Sequence, residues 1–393
     1  MMCVYITRKP QVRVNSVVRR LRAFPAIGDP GVVQGAEVEW DTKLGQYASR
    51  QRLRFVRVES SGERISATVL VGEGQQVKRG EVLAYYSFLF GLGFTEYTSP
   101  CDGEIVAINQ LLGNIAIKEA PVPLQSNIPG TVVAVDDALG VFVKSQGDLV
   151  YGVAGAGYGR SGILDMKVQI PGGELRPQDI SAKDSGKVIV AGKLVTQELL
   201  EACLRWRVAG IVAGSVSHLV YQWYKGITEK LDWDEFLANY WARELKDKGA
   251  KVPPPMEIAT ALVVTDGFGD IPMNAAAFNL LSAHVGERVF LDGSGAFQSQ
   301  AAGADDTLPC VFAPAPGEAA EAAEDAGAQL EAVAPGDRVR VLGLIDPLLE
   351  GTVLEVGEGD VVLPTGMSVP GVKVQTVDGN ALWVPLFNVE KAD

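Results

Sequence analysis

Apolar positions in the first 170 residues come in short runs rich in Val and Ile, cut apart by glycine. Asp102–Lys118 reads DGEIVAINQLLGNIAIK, and Pro129–Ser145, 27 residues later, reads PGTVVAVDDALGVFVKS without a gap. Each repeat has a glycine turn (Gly103, Gly130), a β-branched run, a polar turn, a second glycine (Gly113, Gly140) and another apolar run. Runs this brief and this β-branched predict one hairpin per repeat. Upstream, Gly35, Val38 and Leu44 share their spacing with Gly74, Val77 and Leu83. Paired half-motifs of this kind predict compact β-barrels.

Beyond residue 184 the pattern changes. Lys187–Ala191 reads as a buried strand, Thr196–Val208 as a helix and Gly210–Ala213 as a strand. Asp232 and Glu235 have capping-box spacing and open a helix with Trp233, Phe236, Tyr240 and Trp241 on its apolar face. Ala261–Thr265, Met273–His284 and Arg288–Leu291 add strand, helix and strand. This alternation predicts a small α/β, Rossmann-like layered domain with a largely parallel sheet over residues 184–300. Residues 301–332 lack an apolar period and read as a linker, with a short helix at Glu318–Ala328. Residues 333–393 return to short strands and glycine turns, a second kind of small barrel. The predicted class is thus multidomain α+β: a basic β segment (1–57), a β domain (58–170), the α/β domain, the linker and the C-terminal barrel.

Charge adds an asymmetry. Residues 1–57 hold eleven Lys or Arg against four acids, a local +7 in a chain of net −13, so the remainder carries −20. Arg19, Arg20 and Arg22 are the candidate anion-binding residues, open to RNA. Equally, the basic end can pack on an acidic neighbour, because Arg52–Val58 alternates charged and apolar residues. The four cysteines form no CxxC pair and no metal-ligand spacing, which predicts reduced thiols, no metal site and a cytoplasmic protein. No run of about 18 apolar residues occurs, so no membrane partner is expected. The glycines at 152, 155, 157, 159 and 162 are followed by strand-like sequence, which makes them tight turns instead of a dinucleotide loop.

Two stretches resemble known folds. Gly74-x-x-Val77-x-x-Gly80-x-x-Leu83, followed by Ser99-Pro100-x-Asp102-Gly103-x-Ile105, resembles half of a biotinyl/lipoyl-type domain, the barrel-sandwich hybrid. That resemblance implies a lysine on the connecting hairpin, whereas Tyr86–Tyr97 (YSFLFGLGFTEY) contains none. No carrier activity and no cofactor are therefore expected. Gly336-Asp337-Arg338-Val339-Arg340-Val341 with Gly351-Thr352-Val353 resembles KOW-type, SH3-like modules, which implies an RNA, ribosome or protein contact. The acids Asp337, Asp346, Glu350, Glu355, Glu358 and Asp360 tilt that expectation towards protein. Taken with VVTDGFGDIPM (Val263–Met273), the order of these parts resembles a family of uncharacterised bacterial KOW-containing proteins.

Candidate chemistry is confined to a few places. Thr265-Asp266-Gly267-Phe268-Gly269-Asp270 leaves a strand and enters a helix, the place where open α/β sheets bind ligands. Asp270 as a plain N-cap accounts for its position equally well. His218 follows another strand-to-helix junction, and Ser215, His218 and Asp266 permit a triad to be drawn without any nucleophile-elbow sequence. No catalytic residue is assigned. The hairpin aromatics Tyr85, Tyr86, Phe88, Phe90, Phe94 and Tyr97 either fill the barrel or form a self-association surface, for which Phe88, Phe90 and Phe94 are the candidates. The sequence thus favours a non-catalytic scaffold or adaptor that forms homo-oligomers and contacts another protein. An RNA- or ribosome-associated factor and a ligand-gated regulator or enzyme stand as alternatives.

Overall fold

A computed structural model describes residues 5–7, 12–24, 27–48, 53–58, 60–61, 64–88, 93–109, 113–137, 139–229, 260–294, 308–315, 330–341, 349–363 and 368–391. The first part of the chain is strand after strand. In order they are β1 (Tyr5–Thr7), β2 (Val12–Ala23), β3 (Ile27–Pro30), β4 (Glu37–Val38), β5 (Lys43–Ala48), β6 (Leu53–Arg57), β7 (Ser60–Ser61), β8 (Arg64–Ile65) and β9 (Thr68–Val69). Next come β10 (Gln76–Val77), β11 (Val82–Phe88), β12 (Gly93–Thr98), β13 (Gly103–Asn109), β14 (Asn114–Glu119), β15 (Val122–Gln125), β16 (Gly130–Asp136) and β17 (Gly140–Tyr151).

These strands build the same unit twice, one copy nested in the other. In the outer unit β5 lies between β3 and β15, and β4 pairs with β16; in the inner unit β11 lies between β9 and β12, and β10 pairs with β13. Val38 faces Gly130 just as Val77 faces Gly103. The Gly35 amide donates to the Val132 carbonyl, and the Gly74 amide to the Ile105 carbonyl, both at 2.7 Å. The Ser126 hydroxyl donates to Ile128 O and the Ser99 hydroxyl to Cys101 O, both at 2.6 Å. Even the bulges coincide, after Val132 and after Ile105. The inner copy interrupts the outer one between Ala48 and Val122.

The repeats do not superpose without a gap, however. Ile105 pairs with Ile117 and Val132 with Val143, so the returning strands correspond at a separation of 26, not 27. A slip of one residue would turn every side chain to the other face. The shorter offset sets buried Val141 and Val143 on buried Ile115 and Ile117. The inner unit keeps a core of its own, including Val77, Leu83, Ile105, Ile115 and Ile117.

Then come β18 (Ala154–Ala156), β19 (Arg160–Met166), β20 (Lys187–Val195), α1 (Gln197–Arg205), β21 (Gly210–Val216), α2 (His218–Glu229), β22 (Ala261–Phe268), α3 (Ala275–Ala283), β23 (Arg288–Asp292) and β24 (Cys310–Pro314). The expectation of a separate Rossmann-like α/β domain is overturned here. The protein is mostly β, with three helices among the described residues. Strands β19 to β22 are parallel, yet they belong to an eleven-stranded mixed sheet that continues through β23 and β24 to β17, β16 and β4 of the outer unit. Strand β17 causes the merger. The hairpin repeat ends near Ser145, but the strand runs on to Tyr151, where Leu149, Val150 and Tyr151 pair with β24. The helix expected from Asp232 lies outside the described residues.

The linker needs correction as well. Its residues 301–307 and 316–329 lie outside the described residues, but β24 within it is a buried strand between β17 and β23. Five apolar-to-small residues (CVFAP) suffice for a core strand when both neighbours are already in place. The last strands are β25 (Leu330–Ala332), β26 (Arg338–Val341), β27 (Leu349–Val362), β28 (Ser368–Thr376), β29 (Ala381–Pro385) and β30 (Val389–Lys391). Strand β25 pairs with β1, and the other five form an antiparallel sheet in the order β29-β28-β27-β26-β30. One apolar cluster runs from Val38 and Val141 of the outer unit through Phe290 and Phe312 to Val339, Val372 and Val389. The C-terminal sheet is therefore packed on the body.

Candidate functional site

The candidate loop is buried from Thr265 to Phe268 and reaches the surface at Asp270. Thr265 Oγ1 lies 2.7 Å from Asp266 Oδ2 and 3.2 Å from Ala213 O. The same carboxylate oxygen accepts the Asn274 amide at 2.9 Å. Asn274 in turn accepts the Ala277 amide at 2.8 Å and is the N-cap of α3. Asp270 is consequently not the cap; it is exposed and pairs with Lys193 at 2.7 Å. The hydrogen bond that Lys193 donates to Asp270 raises the Lys193 pKa. Asp266 spends its oxygens on the helix start, which is a structural use of the carboxylate.

Gly267 and Gly269 have φ of +139° and +121°, a backbone region that favours glycine and turns the chain sharply on either side of Phe268. The result is a backbone presented to another part of the protein. Phe268 N donates to Asn388 Oδ1 at 2.9 Å, and Asn388 Nδ2 donates to Phe268 O at 2.6 Å. A side-chain amide thus imitates one rung of a β ladder. The Phe268 ring packs edge-on against His218 at 5.4 Å and tilted against Tyr221 at 5.3 Å. His218 is buried at the start of α2, with Nε2 3.2 Å from Gln222 Nε2.

The structure therefore brings Thr265–Asp270 and His218 together, as a joint under the C-terminal sheet. The Ser215 hydroxyl accepts from the Ile271 amide at 3.0 Å and donates to Lys193 O at 3.0 Å, so it is not a presented nucleophile. Asn388 and Asn274 carry the joint and had no sequence signal. A lone Asn near a strand end looks like any turn residue.

Two of the three candidate anion-binding arginines are internal. Arg20 is 1% exposed, and its Nη2 reaches Asp292 Oδ2 at 3.3 Å and Leu308 O at 2.7 Å. Arg22, 4% exposed, donates to Gly159 O at 3.0 Å and Gln125 O at 3.3 Å, and lies over the Phe290 ring. A Cβ at residue 159 would meet Arg22 Nη1 at 2.1 Å, which is why glycine stands there. Burial lowers the Arg22 pKa to about 10. At Arg20 burial opposes the charge, but nearby Cys310 and Asp292 outweigh it and the pKa rises. Burial likewise lifts the Cys310 thiol to about 11. Arg20 and Arg22 are thus internal, and of the three candidates Arg19 alone is exposed, over the Phe142 ring at 4.9 Å.

Of the self-association candidates, Phe94 is 67% exposed. Phe90 lies outside the described residues, and for Phe88 only the backbone, the end of β11, is described. Phe94 sits opposite Ser87, with Tyr85 (38% exposed) diagonal to it on the same hairpin face. Tyr86 and Tyr97 turn inward onto the inner core. Strand β6, which the sequence placed only in a basic segment, exposes Leu53 (45%) and Phe55 (63%). Among the described residues no cluster of His, Cys, Asp and Glu could hold a metal ion, and no helix is long and apolar enough to cross a membrane. No protein-family model matches this sequence, and no curated protein is significantly similar to it.

Proposed function

We propose that this protein is a non-catalytic scaffold or adaptor of the cytoplasm that makes homotypic and partner contacts, with the inner β unit as its presenting surface. The observation that carries this reading is Phe94, two-thirds exposed beside Tyr85 on the outer face of the β11–β12 hairpin. Large aromatic rings facing water on a unit with its own complete core favour a contact surface over a core element. The loop at Thr265–Asp270 supports an internal joint and offers no free carboxylate or nucleophile for catalysis. An RNA-binding role loses Arg20 and Arg22 to the interior. The C-terminal sheet, whose sequence resembles KOW-type modules, would recruit protein: Glu350 already engages Arg340 at 3.3 Å and Arg338 at 3.5 Å.

The test is sedimentation velocity of the whole protein and of Phe94→Asp, beside circular dichroism. Self-association of the wild type that weakens in a folded Phe94→Asp variant supports the reading. A wild type that remains monomeric and captures no protein from its host overturns it.

A further inference from the structure

The two small β parts of this protein are attached in different ways. The C-terminal sheet shares the apolar cluster that runs through the outer unit, and Asn388 pins it to Phe268. The inner unit keeps to itself. Its buried residues, from Val58 to Ile117, make one closed cluster without a residue of the body. Among the described elements, none of β6 to β14 packs along a strand or helix outside the unit. Its turns are tied inward as well: Arg79 N donates to Asp102 Oδ1 at 2.7 Å, and Ile108 N to Glu73 Oε1 at 2.9 Å.

The attachment is a single stem. The ladder between β5 and β15 closes at the rung Tyr47–Val122, and that between β6 and β14 opens at the rung Leu53–Lys118. Entry and exit are therefore neighbours on both sides of the junction, so the two crossings of the chain act at one place. On the returning side the boundary is one residue wide. Ala120 N donates to Asp102 O at 2.8 Å, inside the inner unit, whereas Val122 already pairs with Tyr47 of the outer one. Pro121 stands between them, its φ locked by the ring and its ψ left to take up a turn.

We infer that the inner unit is a rigid arm that swings on this stem relative to the rest of the protein. Units of one chain move against each other unless a large apolar interface holds them. A shared apolar cluster holds the C-terminal sheet in that way, and none holds the inner unit. Such swings are absorbed by a few residues at the ends of elements, which is where Pro121 lies. Phe94 and Tyr85 ride on the arm, so whatever they engage is held at a variable distance from the C-terminal sheet. The swing does not depend on the scaffold reading: a monomer that moves in this way supports the arm and overturns the homotypic contact.

The test is a set of spin-label distance measurements on the whole protein, frozen from solution. The background is Cys3→Ser, since Cys101, Cys203 and Cys310 are buried. All label sites are exposed side chains, and labelled protein is diluted in unlabelled protein so that distances between copies do not contribute. Val106→Cys with Glu96→Cys places labels on the two sheets of the inner unit, and Glu198→Cys with Ser282→Cys places them on α1 and α3 of the body. Each of these pairs should give one narrow distance. Glu96→Cys with Glu198→Cys, from arm to body, should give a distribution about three times as broad, as expected for units without an apolar interface. An arm-to-body distribution as narrow as the two internal ones overturns the inference. Equal broadening of the pair within the inner unit also overturns it, because the unit would then not be rigid.

Discussion

Arg20 and Arg22 show how much a single buried carboxylate can decide. Two guanidinium groups lie inside, and Asp292 is the carboxylate placed against Arg20, itself held by Ser294 N at 3.0 Å and Ser294 Oγ at 2.6 Å. Asp292→Asn would leave both cations without that countercharge. Breaking a buried pair on one side costs roughly 3–5 kcal/mol, far more than a surface pair. Urea unfolding should show a loss of that order, and a loss below about 1 kcal/mol would refute the role given to Asp292. Asn388 acts at the other joint. Asn388→Ala strips partners from the buried amide and carbonyl of Phe268, with an expected cost of roughly 1–3 kcal/mol. Unfolding of the C-terminal sheet should then separate from that of the body, detectable through Trp383 on β29.

At the scale of elements, α3 is tied to the outer unit by its C-cap. His284 Nδ1 lies 2.7 Å from Glu287 Oε2 and Nε2 2.9 Å from Asp148 Oδ2 on β17. Burial opposes protonation, but the two carboxylates prevail and the His284 pKa is raised. A raised pKa means that the folded state holds the proton more tightly. The stabilisation is fully present below the unfolded pKa, about 6.5, and is lost as pH rises through the higher folded value. The melting-temperature advantage of wild type over His284→Gln should therefore be largest near pH 6 and shrink by pH 9. An advantage that does not change over that range would refute the clasp. The helix end was legible in the sequence; its partner, Asp148, lies 136 positions away and was not.

At the scale of the whole molecule, the nesting itself can be tested. Ala48 and Val122 occupy the places of Ser87 and Thr95, which residues 88–94 join in the inner unit. Replacing residues 49–121 by a glycine–serine link of about seven residues should leave the outer unit closed and the central sheet intact. The shortened protein should melt cooperatively and lose self-association. Collapse of the fold would show that the inner unit supports the outer one. The C-terminal sheet should also stay bound after cleavage near residue 320, because Asn388 and the shared apolar cluster hold it. Its release as a free fragment under native conditions would contradict the docking.

The sequence by itself determined what is local. Alternating Val and Ile runs between glycines specified the hairpins, Thr196 marked the start of α1, and the recurrence of Gly35 and Gly74 revealed the duplication. It could not reveal the 26-residue offset of the returning strands, because one residue is absorbed in the hairpin turn and only pairing registers it. Tertiary structure alone decided where units end. Parallel strands alternating with helices look like an independent domain until a neighbouring strand is long enough to extend the sheet, as β17 does. Likewise, the sequence leaves an arginine-rich strand open to an anion at the surface or an acid in the interior, and the carboxylate at position 292 decides it for Arg20. Such contacts are set by where backbone already stands in space, and a chain read one position at a time carries no record of that.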